Sequence, residues 1–140
     1  KDRVISEGFQ DLFDFYHNVD HDEIINYLID TDIYVSLNKF GNLSNANLEA
    51  IAMNKCMIIP KSQPRIGVDL ILDKLFPTDS IYRIDSQKDI DGLSNAISLF
   101  YNDYELRERY KKNLSLISTN LLTWEERIQE ELLILYKYAQ

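Results

Sequence analysis

The stretch from Asp32 to Pro60, DIYVSLNKFGNLSNANLEAIAMNKCMIIP, constrains the fold more than any other part of the chain. It passes from an apolar run through a polar glycine turn into a helical pattern, and then back into an apolar run. Asp32 to Leu37 and Cys56 to Ile59 are near-continuous apolar segments, which predicts parallel strands covered on both faces. Between them Leu48, Ile51 and Ala52 recur at helical spacing, and Asn42, Ser44 and Asn45 offer capping side chains just ahead. The helix would thus open at the carboxyl end of a strand. In open α/β sheets free N–H groups and the positive end of the helix dipole converge at that point, where anionic ligands collect.

The rest of the chain extends the same grammar. Leu12 to Tyr16 (LFDFY) reads as a short strand and Asp22 to Asp30 as a helix with Ile24, Ile25 and Leu28 on one face, so the expected order is β, α, β, α, β with right-handed crossovers. Beyond Pro60 the loop KSQPRIG leads to a short helix over Val68 to Leu75, closed by Pro77, and then to a strand at Ile81 to Ile84. From Lys88 onward the pattern is helical, with Ile90, Leu93, Ala96, Ile97 and Phe100 at core spacing and a charged amphipathic segment from Tyr104 to about Ser118. Thr123 and Glu126 form a capping box for a last helix, on which Trp124, Ile128, Leu132 and Tyr136 make an apolar stripe. No internal repeat or low-complexity segment interrupts this.

Bulk properties narrow the function classes. At 140 residues and 45% hydrophobic composition, the chain has enough apolar material for one core, so a single domain is expected. Fifteen basic against 23 acidic residues give a net charge of −8, which argues against wide contact with a nucleic-acid backbone. Lys39, Lys61 and Arg65 are either local contacts for one small anion or solvated loop charges. Cys56, the one cysteine, lies in an apolar run and reads as a small hydrophobe in a reducing compartment. No run approaches the ~20 apolar residues of a membrane span, and KDRVISEGFQ has no signal-peptide core, so the expectation is a soluble cytoplasmic protein. A start at Lys1 rather than methionine suggests a piece of a longer protein.

Among candidate site residues, Glu49 comes first, because it lies in the opening turns of the helix beside the anion position. Its carboxylate either accepts hydrogen bonds from a vicinal diol such as a ribose or is a solvated group favoured by the dipole. Gly41 is either a flexible turn residue or the point of close backbone approach to a phosphate. His17 and His21, the only histidines, read as polar turn residues or as ligand contacts. One cysteine and no helical histidine pair exclude a zinc site, and no nucleophile triad or P-loop is signalled.

NLSNANLEAIAMNKCMII resembles the signature of retaining family-4 glycosyltransferases of the GT-B architecture, roughly N-x-x-LEA-x-A-x-G-K-P-V-I. Asn45, Leu48, Glu49, Ala50, Ala52 and Lys55 match it directly. FYHNVDHDEIINYLIDTDIYVSLN is similar to the preceding family segment, and DSQKDIDGLSNAISLFYNDYELRERYKKN with TWEERI is similar to its terminal helices, so the likeness runs through almost the whole chain.

The resemblance implies an α/β fold: a Rossmann-like open parallel sheet with flanking helices and a helical carboxyl-terminal end, half of a GT-B fold. It implies a donor-binding domain lacking its first strand, with that strand's basic pair, and the amino-terminal acceptor domain. The donor would be a nucleotide-diphosphate sugar, with the amides of Asn42, Leu43 and Ser44 on the diphosphate, Gly41 permitting the approach, and Glu49 on the ribose. Neither metal nor other cofactor is implied, and no catalytic residue can be assigned. The family usually carries a second glutamate eight positions before the ribose glutamate, against the donor sugar. Gly41 stands there instead, so Asn38 or Lys39 would supply that contact, or sugar handling differs, or the site is degenerate. Asn54 replaces the usual small residue after the helix, where it suits a left-handed cap. The implied acceptor is a glycan or lipid-linked molecule in polysaccharide or glycoconjugate assembly, at the inner face of the membrane. Two other readings stand beside this one: a non-catalytic binding module that keeps the fold, and an unrelated flavodoxin-like or response-regulator-like domain.

Overall fold

The computed structural model describes residues 1–39, 41–62, 74–119 and 121–138, with residue 124 described by its backbone alone. It divides into two compact units, Lys1–Asp30 and Thr31–Gln140. The first holds a short helix α1 (Asp2–Ser6), a 3-10 turn (Gln10–Leu12) and α2 (His21–Ile29). On α2, Leu28 is buried, Ile24 is half-buried and Ile25 is exposed.

The strand expected at Leu12 to Tyr16 is not formed. Leu12 closes the 3-10 turn, Phe13 is extended (φ −134°, ψ 123°), and residues 13–16 join no ladder among the described residues. Phe13 and Phe15 stack on each other instead, with ring centroids 6.1 Å apart. Aromatic enrichment signals an extended apolar segment, but only a neighbouring edge with free N–H and C=O groups makes such a segment a strand.

In the second unit β1 (Ile33–Val35), β2 (Cys56–Pro60) and β3 (Tyr82–Ile84) form a parallel sheet of three strands with β2 in the centre. Ile33 pairs with Cys56 and Val35 with Ile58, while Ile58 pairs with Tyr82 and Pro60 with Ile84. Every residue of β2 is buried, as a strand covered on both faces requires. Helix α3 (Asn45–Ala52) links β1 to β2, and α4 (Ile90–Asn102), α5 (Tyr104–Ser118) and α6 (Trp124–Tyr138) follow β3. The helix expected over Val68 to Leu75 lies outside the described residues except at 74–75, which are helical.

Helix α4 packs on β3, and α5 packs on β2, α3 and α4. The core they enclose joins Cys56, Ile58, Ile84, Ala96 and Phe100, flanked by Ile33, Val35, Tyr82, Leu93, Leu106 and Tyr110. Phe100 sits edge-on to both Tyr82 (5.6 Å) and Tyr110 (4.9 Å), a geometry aromatic quadrupoles favour. Cys56 is buried in this cluster, and burial pushes its thiol up to about 12, so it packs as a hydrophobe and is inert as a nucleophile.

Helix ends follow from side-chain chemistry. Asp89 caps α4 by accepting from Gly92 N–H at 2.9 Å, and Asp103 caps α5 by accepting from Leu106 N–H at 2.9 Å, which separates the two helices at a single residue. The box at α6 is reciprocal: Thr123 N–H donates to Glu126 Oε2 at 2.8 Å, and Glu126 N–H donates to Thr123 Oγ1 at 3.2 Å. The apolar stripe expected on α6 stays in water, with Ile128, Leu132 and Tyr136 all exposed.

Candidate functional site

The loop from β1 to α3 is built by short polar contacts. Ser36 N–H donates to Ile58 O at 3.1 Å, which continues the ladder one residue past β1, and Gly41 N–H donates to Asn38 O at 3.1 Å to close a turn. Gly41 is buried with φ +63°, and a Cβ there would lie 2.6 Å from Lys61 O and 2.7 Å from Pro60 O. The absent side chain therefore faces the backbone at the exit of β2. Packing within the chain already demands glycine at this position.

Ser44 is the residue that caps α3: its Oγ accepts from Asn47 N–H at 3.3 Å. Asn38 Nδ2 donates to Asn42 Oδ1 at 2.7 Å, which ties the two ends of the turn together. Asn47 is fully buried, donating from Nδ2 to Asn42 O at 3.1 Å and accepting at Oδ1 from the Tyr34 hydroxyl at 3.1 Å. The N–H groups of Asn42, Leu43, Ser44, Asn45 and Ala46 donate to no group among the described residues. The loop thus presents a run of five amides at the positive end of an eight-residue helix.

Glu49 lies one turn into α3, partly buried, with its Oε2 oxygen shielded from solvent. The Tyr34 hydroxyl is raised above the usual phenol range, first by burial and then by the nearby Glu49 charge, against a lowering hydrogen bond with Ser36. One end of α3 thus gathers the predicted Gly41, Asn42, Leu43, Ser44 and Glu49, with Asn38 in the same turn and Lys39 exposed beside it. Lys61 instead pairs with Asp85, whose hydrogen bond holds its ammonium above the usual lysine range. Arg65 lies outside the described residues. His17 and His21 belong to the first unit, and both are exposed. No cluster of three metal-ligating side chains occurs among the described residues.

Asn47 and Tyr34 went unnoticed in the sequence. An asparagine at the third position of a helix and a tyrosine in a strand carry no motif, and the only available signal was a polar residue on the apolar face of α3.

Helix α3 ends in a Schellman motif: Asn54 takes φ +53° and donates to Ile51 O, while Lys55 N–H donates to Ala50 O at 3.0 Å. The expected left-handed cap at Asn54 is present.

The arrangement of sheet and helices has a solved counterpart. The chain is similar to the carboxyl-terminal domain of a glycosyl transferase group 1 family protein (LpcC) from Francisella tularensis, with a TM-score of 0.66 and 21% identity. The fold is the carboxyl-terminal, Rossmann-like half of GT-B. The match covers 84% of this chain and 57% of that one, so the GT-B half described here spans less than two thirds of its counterpart. No family profile and no curated protein matches the chain. Among the described residues, no helix of this GT-B half is long and apolar enough to cross a membrane.

Proposed function

We propose that the chain is the donor-binding part of a glycosyltransferase that moves a sugar, with retention of configuration, from a nucleotide-diphosphate sugar to a glycan or lipid-linked acceptor. In this reading it works as part of a longer chain, whose amino-terminal domain supplies the acceptor contacts. No metal or other cofactor takes part. The full-length protein is cytoplasmic, with peripheral association at the inner face of the membrane. The observation that carries the reading is the run of amides from Asn42 to Ala46 at the carboxyl end of β1, with Glu49 one turn further on, inside a GT-B half. A diphosphate on those amides would gain negative charge as the sugar departs, and fixed N–H dipoles stabilise that charge without reorganising. Glu49 would accept hydrogen bonds from the ribose hydroxyls, and Asn38 or Lys39 would contact the sugar or its phosphate.

Titration of the isotope-labelled chain with UDP, GDP and ADP tests this reading. Amides from Gly41 to Glu49 are expected to shift and to saturate for one base, and Glu49→Ala is expected to weaken that binding by about 1.5 to 3 kcal/mol. Unchanged affinity in the variant would remove Glu49 from the site, and silence of these amides at millimolar nucleotide, in this chain and again in the full-length protein, would overturn the reading.

One observation favours a second reading, a non-catalytic binding module. At position 41 the backbone leaves no room for any side chain, so a sugar-contacting carboxylate cannot be supplied there without rebuilding the loop. Sugar transfer from a labelled donor by the full-length protein would dismiss it.

A further inference from the structure

The polar contacts of the loop converge on Asn47, one of two buried polar residues in the described chain, the other being Ser80. The carbonyl of Asn42 can only accept, so the Asn47 amide must turn Nδ2 toward it, which leaves Oδ1 to take the Tyr34 hydroxyl. Asn38 Nδ2 approaches the same carbonyl at 3.4 Å. A trans peptide is planar, and its C=O and the following N–H point in opposite directions. Drawing Asn42 O toward Asn47 therefore turns Leu43 N–H the other way.

We propose that Asn47 is a positioning residue for a diphosphate: its amide, oriented by Tyr34, fixes the peptide plane between Asn42 and Leu43 so that Leu43 N–H is held for the anion. The inference rests on the donor-site reading above and adds the group that keeps the amides in place. An apolar side chain at 47 would preserve the helix but leave the Asn42 carbonyl without its buried donor, so the peptide plane could rotate. The loss would fall on the phosphate end of the ligand, because Glu49 and its ribose lie beyond the rotated peptide.

The test measures the affinity of the chain for inorganic pyrophosphate, for UDP, GDP and ADP, and for the three parent nucleosides. Asn47→Leu is expected to weaken pyrophosphate and the bound nucleoside diphosphate by about tenfold while leaving the nucleoside unchanged, and to displace the Leu43 amide resonance in the free protein. Tyr34→Phe is expected to weaken the same two ligands by about threefold and to add nothing in the Asn47→Leu background, since both act through one amide. Glu49→Ala should show the opposite split, losing nucleoside and keeping pyrophosphate.

Equal losses of nucleoside and pyrophosphate in Asn47→Leu would mark a merely structural role and overturn the inference. Full pyrophosphate affinity in Tyr34→Phe would also overturn it, and this variant decides the matter if Asn47→Leu does not fold. Wild-type chain that binds a nucleoside diphosphate undisturbed by either change would sink this inference alone. Full-length protein that binds neither pyrophosphate nor any nucleotide would sink the donor-site reading with it.

Discussion

Gly41 shows how much one residue can demand of its surroundings. Its positive φ excludes most side chains, and the space a Cβ would need is occupied by the carbonyls of Pro60 and Lys61. Gly41→Ala should therefore cost about 1–3 kcal/mol for the strained backbone, with about 1–3 kcal/mol more for the close contact. Urea unfolding will show this as a lower midpoint at an unchanged slope. A variant as stable as wild type would mean that the turn is not built this way. The sequence singles out the glycine but offers only a flexible turn or a phosphate as the reason. The actual neighbour is the exit of a strand some 20 residues further on, and such a partner is invisible to local pattern.

At the scale of elements, the weight of a helix cap depends on what the helix buries. Ser44 caps α3, which places Ala50 and Ile51 in the core, whereas Thr123 caps α6, none of whose described residues is buried. Ser44→Ala is expected to lower global stability by about 1 kcal/mol. Thr123→Ala should leave the unfolding midpoint nearly unmoved while α6 amides exchange faster with deuterium, because a helix without buried contacts opens locally. Equal losses of global stability in the two variants would show α6 to be coupled to the core. Elements with strong periodicity or clear caps were legible from the chain alone: β2, α3, the end of α5 at Ser118 and the box at Thr123 all lie where spacing puts them, whereas the break between α4 and α5 at Asp103 was not. LFDFY was misread because its aromatics report only a preference for extended backbone. The exposure of Ile128, Leu132 and Tyr136 was equally hidden, since an amphipathic stripe does not say what will cover it.

Across the whole molecule, weak acids that the fold wholly or partly buries are expected to make stability fall at alkaline pH. Burial raises the Cys56 thiol to about 12, and it raises the hydroxyls of Tyr34 and Tyr110 as well. In each case the folded state holds its proton more tightly than the unfolded chain. The associated stability is complete below the ordinary thiol value of 9.0 and is lost as pH rises toward the folded value. Unfolding free energy should fall by roughly 1 kcal/mol between pH 9 and pH 10 from the thiol alone. Cys56→Ala should flatten that first part of the profile and leave the later, tyrosine-driven decline, as denaturant titrations at successive pH values will reveal. A profile as steep in Cys56→Ala as in wild type would assign the early loss to other groups. The close seating of Gly41 on Pro60 and Lys61 also bears on protein engineering. The loop that opens α3 is no interchangeable cassette: a loop grafted from another domain of this fold must bring its own version of the β2 exit, or two backbones will compete for one place.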